Sequence, residues 1–203
     1  MPDLKRTGTF IEQNLFFLIL FGLLLSGILV GALVFCNLST ASADTLSFLA
    51  KGYLETRAEL GGLEILLKTL ISSTIFLAVA LFLSFSAVSQ PALFILPFLK
   101  GLGLGASVAQ IYSLTGPKGF IVVLLMIIPC EAVISVSMII AVKESVRFSN
   151  LMLHHTLASS FTNGLRESTR LHCIRFLMLE VAVAVGALLD CFCSMLFSGI
   201  LIR

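Results

Sequence analysis

Four ionisable residues interrupt long apolar stretches of the chain: Lys100, Glu131, Glu180 and Asp190. In hydrocarbon each such charge costs roughly 2.5–3.5 kcal/mol on insertion scales, so none is expected to face lipid alone. Lys100 and Glu131 fall at matching depth on two apolar segments joined by a short turn, which predicts an ion pair between them. Asp190, near the middle of a later segment, would be a second carboxylate facing the same cation, while Glu180 lies nearer one end, within reach of headgroups. Two kinds of chemistry follow: a structural clasp between helices, or a proton or ion path through Lys100, Glu131 and Asp190. No second acid-rich segment, selectivity-filter sequence or clear internal repeat accompanies them, which favours the clasp.

The remaining reactive residue types give weaker patterns. His154, His155 and His172 lie in one polar stretch, but adjacent histidines on a helix point in different directions and do not converge on one ion, so no metal site is expected. The five cysteines, at 36, 130, 173, 191 and 193, are odd in number and lack any C-x-x-C spacing, which argues against a disulfide framework or zinc ribbon. Cys191-Phe-Cys193 sits in an apolar run, where Cys packs as a small hydrophobe. No apolar segment contains a His, and H-E-x-x-H, Walker and G-x-S-x-G patterns are absent, so the chain reads as a non-enzyme with no cofactor. The glycine run from Lys100 to Gly105 lies inside an apolar segment with no strand before it, and reads as a helix-packing stretch rather than a nucleotide loop. Gly27 and Gly31 give a second small-xxx-small spacing.

The elements that position these residues follow from composition. Of 203 residues, 58% are hydrophobic and only 12% charged, with a mean hydropathy of +1.09. A soluble domain carries about 25% charge, so a soluble enzyme and a disordered chain are both excluded, and the net charge of +2 gives no footprint for nucleic acid. The expected fold is all-α, a single polytopic membrane domain over 1–203 whose partner is the lipid bilayer. A transmembrane helix needs roughly 20 apolar residues. The expected spans are 15–35, 69–88, 92–112, 120–142 and 176–202, about five helices, with Ser113 to Gly119 forming a turn. The first has 21 apolar residues, longer than the roughly 7–15 of a signal peptide's core, and is expected to remain as an anchor.

Basic residues set the expected orientation. A cytoplasmic N-terminus puts Lys5, Arg6, Lys143, Arg147, Arg166, Arg170 and Arg175 inside and Lys51, Arg57, Lys68, Lys118 and Arg203 outside, seven against five, with the C-terminus outside. Residues 36–68 form an outer amphipathic loop in which Leu46, Leu49, Tyr53 and Leu60 recur at helical spacing, a surface for a partner or for the bundle itself. Residues 143–175 form an inner basic loop suited to anionic headgroups, with Asn163-Gly164 turning the chain between two helical halves.

The stretch Phe94-Ile-Leu-Pro-Phe-Leu-Lys-Gly-Leu-Gly-Leu-Gly105 resembles a segment of the stage II sporulation protein M family, as do Thr115-Gly-Pro-Lys-Gly119 and the proline-bearing Ile127-Ile-Pro129. Five spans, a length near 200 and a long first outer loop agree; Cys130-Glu131 departs from the residues that many members carry after the proline. The resemblance implies a non-enzymatic scaffold that anchors a peptidoglycan-degrading complex with the stage II sporulation proteins D and P, remodelling septal wall during engulfment in endospore formation. It implies a cell-membrane location, septal or mother-cell, in a sporulating cell. The family also has members outside sporulation. The alternative from the residues alone is a small transporter or channel subunit using Lys100, Glu131 and Asp190.

Overall fold

The computed structural model of the chain describes residues 3–37, 62–86, 89–116, 123–158 and 164–201. They form five long helices: α1 (Asp3–Asn37), α2 (Gly62–Ser84), α3 (Gln90–Thr115), α4 (Ile128–Ala158, entered through one wide π turn at Val123–Ile127) and α5 (Gly164–Leu201). The fold is an all-α bundle. Four of the helices, α1, α2, α3 and α5, are long and apolar enough to cross a membrane. Their outward faces carry Leu18, Leu29, Ile71, Phe82, Leu177 and Phe192 in the open, while Ser73, Ser84, Ser145, Ser149, His172 and Asp190 are buried. An apolar exterior around a more polar interior suits hydrocarbon surroundings, where lipid tails are as apolar as Leu and polar groups gain by turning inward. The chain is therefore a membrane protein built of transmembrane helices.

α4 departs from this pattern because it occupies the centre. Its first five turns or so carry Glu131, Lys143 and Glu144, and it packs against all four other helices. Ile134, Met138, Ile139, Val142 and Val146 of α4 fill the core with Leu77 and Ala80 of α2, Leu93 and Leu96 of α3, and Val183 of α5.

Neighbouring contacts give the topology. Glu144 meets Arg175 and Ile134 meets Gly186, so α4 and α5 are antiparallel. Lys100 meets Glu131 and Gln90 meets Asn150, so α3 and α4 are antiparallel as well. Successive helices thus alternate in direction. Helices one and three in order are consequently parallel, and they make the closest contact in the bundle. A Cβ added at Gly27 or Gly31 would lie 2.3 Å from the Phe98 carbonyl oxygen or 2.2 Å from that of Leu102. One added at Gly101 or Gly105 would lie 2.2 Å from the Leu24 oxygen or 2.0 Å from that of Ile28. The two glycine spacings are one interface, each helix sinking its carbonyl ridge into the other's glycine groove. Phe16 and Phe94 extend the contact edge-to-face with centroids 5.6 Å apart.

The expected boundaries change on α2, α3, α4 and α5. α2 starts at Gly62, seven residues before the expected 69, because Leu63, Ile65, Leu66 and Leu67 already form apolar turns, and it stops at Ser84 rather than 88. α3 starts at Gln90, with Pro91 in its first turn, where a missing N–H costs nothing. It ends at Thr115 and is capped by Gly116, whose φ of 62° suits glycine and whose N–H reaches the Tyr112 oxygen at 2.9 Å. The segment 143–175, expected as a loop, is mostly helical: α4 runs on to Ala158 and α5 begins at Gly164. Charges at a membrane surface do not stop a helix; that takes Gly, Pro or Asn, and 143–158 contains none but Asn150.

Candidate functional site

Lys100 lies in mid-α3, one turn after the fully buried Pro97. Glu131 lies in the first turn of α4, just after Pro129. Pro129 has no N–H to give and its ring crowds the carbonyl four residues back, so the backbone ahead of it winds wide as the π turn. That turn delivers Glu131 to Lys100: Nζ stands 3.1 Å from Oε2 and 3.4 Å from Oε1, with the side chains 11% and 22% exposed. The pair joins the glycine-locked α1–α3 unit to the central helix at mid-depth. At one end of the bundle the Gln90 amide donates to Asn150 Oδ1 at 2.6 Å, a second tie between the same two helices.

Asp190 is elsewhere. The register of α4 on α5, set by Ile134 against Gly186, brings it to the level of Cys130 and Glu131, but its carboxylate turns to α2. There Oδ2 accepts a hydrogen bond from Thr69 Oγ1 at 2.7 Å, with Asp190 only 3% exposed. The expected cluster of one cation and two carboxylates is not assembled, because a hydroxyl on the facing helix supplies a nearer donor. Glu180, expected to reach headgroups, also turns inward and accepts from the Thr74 hydroxyl. His172 follows the same rule, its Nε2 3.0 Å from Ser84 Oγ. The three ionisable side chains on the buried face of α5 are thus each met by a hydroxyl of the antiparallel α2.

His172 is buried, 4% exposed. Its ring stacks on Phe148 at 4.2 Å, tilts against Phe176 at 4.9 Å and meets Phe85 edge-on at 6.4 Å. Beside it the Arg175 guanidinium donates to Glu144 at 2.6 Å. The short link from α2 to α3 is bound to the same end. Ser149 Oγ donates to the Ser86 carbonyl at 2.8 Å, and Ser89 Oγ donates to the carbonyls of Leu83 and Ser86.

Of the other sequence-derived candidates, Leu49, Tyr53 and Leu60 lie outside the described residues. His154 and His155 lie on the last turns of α4. Among the described residues no three His, Cys, Asp or Glu side chains gather as a metal site would require. Thr69, Thr74 and Ser84, the partners of the α5 line, were not foreseen; the available signal was their recurrence, with Ser73, along one segment rich in hydroxyls. Comparison of this chain with protein-family models, with curated proteins and with solved structures gave no match.

Proposed function

We propose that this protein is a non-enzymatic membrane scaffold: a rigid bundle that holds partner proteins at the cell surface through its outer segment 36–68 and the helix ends beside it. The observation that carries this reading is the use of the intramembrane ion pair. Lys100 and Glu131 bind each other across α3 and α4, 3.1 Å apart, and the unit they fasten is already closed by backbone contact at four glycines. Such an arrangement resists movement between helices, which suits a platform. A transporter built on Lys100, Glu131 and Asp190 as one cluster has less support, since Asp190 bonds to α2.

The resemblance around Phe94 to Gly105 supplies the process. In this proposal the partners are wall hydrolases of the kind formed by the stage II sporulation proteins D and P. The protein sits in the septal membrane, N-terminus in the cytoplasm, and the task is septal peptidoglycan remodelling during engulfment. Deleting the gene in a spore former is expected to stall engulfment after septation and to disperse the hydrolases, as seen by fluorescence microscopy of tagged partners. Replacing Leu49, Tyr53 and Leu60 by polar residues is expected to weaken co-purification of partners while membrane insertion persists. Normal engulfment in the deletion strain would sink the assignment.

A further inference from the structure

We infer that the α2–α5 interface is a proton path across the bundle, with Asp190, Glu180 and His172 as its stations and Glu180 as its middle one. This goes beyond a scaffolding role and does not depend on it. The path rests on placement. Three of the ionisable groups on α5 turn to the same neighbouring helix, and each is hydrogen-bonded there to a hydroxyl: Asp190 to Thr69, Glu180 to Thr74, His172 to Ser84. The 18 residues from His172 to Asp190 cover about 27 Å of helix, against about 30 Å of hydrocarbon. Helix packing alone does not require acids or an imidazole at these positions; apolar residues would insert at lower cost.

Further polar groups lie between and beyond the stations. Ser145 of α4, fully buried, donates to the Ala80 carbonyl at 3.0 Å, midway along α2 between Ser84 and Thr74. Ser73, 2% exposed, adjoins Thr74 on the side of Thr69. Past Asp190, one turn on, the Ser194 hydroxyl is buried with no hydrogen-bond partner among the described residues, so the line continues beyond its last carboxylate. The intervals are one to three helical turns and are lined by Leu77 and Ala80 of α2 and Phe176 and Val183 of α5, all buried in the apolar core, so conduction requires water to enter transiently between these side chains.

The occupant is a proton rather than a metal cation. Hard cations take six or more oxygen ligands, whereas each station offers one carboxylate or imidazole and one hydroxyl. A proton needs only a donor and an acceptor. A hydroxyl that receives a proton on one lone pair releases its own to the next acceptor and must then rotate back before the next proton passes. At Ser84 the hydroxyl must first leave the Leu81 carbonyl, to which it donates at 2.6 Å.

The test is proton flux into vesicles of phosphatidylcholine and phosphatidylglycerol holding the full-length protein and an entrapped pH dye, driven by a valinomycin-clamped potassium gradient. Wild-type protein is expected to acidify the lumen several-fold faster than protein-free vesicles. Glu180→Gln, which keeps an oxygen to accept from Thr74, is expected to fall to the protein-free rate, and Asp190→Asn to fall with it. Thr74→Val should lose flux and Thr74→Ser retain it, a contrast that loss of folding cannot mimic when both elute as monodisperse protein. Gly22→Ala, which adds a methyl where nothing lies within 4 Å, serves as the unaltered control. Wild-type flux at the protein-free rate would overturn the proposal, as would wild-type flux through Glu180→Gln or a flux that follows an added sodium gradient instead of the imposed potential.

Discussion

Taking the ammonium from Lys100 would leave Glu131 on the central helix with no opposite charge in contact among the described residues, in a site where each is less than a quarter exposed. Breaking one partner of a buried pair costs about 3–5 kcal/mol, whereas replacing both by apolar residues of similar volume is close to neutral. Lys100→Leu is therefore expected to lower accumulation of the protein in membranes, and Lys100→Leu with Glu131→Leu to recover much of it, measured by quantitative immunoblot of the membrane fraction. Equal loss in single and double variants would show that the pair contributes nothing. This contact was legible in the sequence because two opposite charges stood at one depth on segments joined by a turn. The environment of Asp190 was not. Its partner Thr69 lies 121 positions away, and nothing in a threonine distinguishes a donor aimed at α5 from one bonded to its own helix.

Helix packing was legible wherever glycine spacing recorded it. Gly27 and Gly31 announced one groove and Gly101 and Gly105 the other, although the sequence did not say that they fit each other. A methyl at any of the four would meet a carbonyl oxygen at 2.3 Å or less, and backbone cannot yield as a flexible side chain can. Gly105→Ala is expected to destabilise the bundle by about 1–3 kcal/mol, as overpacking does. Gly103→Ala, on the same helix with open space around it, should leave stability unchanged. Thermal unfolding in detergent, followed by circular dichroism, separates the two; equal midpoints would contradict the interlocking. Helix ends were harder to read. Hydropathy falls at Lys143, yet α4 continues to Ala158, since hydrophobic pattern reports burial in lipid whereas continuity of a helix depends on backbone-breaking residues.

At the scale of the whole molecule, alternating helix directions put the starts of α3 and α5 at the same end as the end of α4, and this end carries Lys143, Arg147, Arg170 and Arg175. Basic residues stay in the cytoplasm. Reporter fusions after residues 45 and 155 are accordingly expected to report outside and inside, and the reverse would overturn the orientation. The all-α class followed from composition, but of the five expected spans the one over 120–142 falls on the central helix α4, which is not among the four described helices apolar enough to cross a membrane. The pairing of helices needed the contacts, because any two apolar helices are interchangeable to a hydropathy count. The parallel pairing of α1 with α3 has a consequence for biogenesis. During synthesis α1 is made before α3, and the groove that receives Gly27 and Gly31 is not completed until Gly105 has been made, 74 residues after Gly31. At translation rates of about 5–20 residues per second that is a wait of roughly 4–15 s. Through that interval the first helix stands in lipid with its glycine face uncovered, and a nascent chain halted after α2 would carry that face without the helix made to cover it.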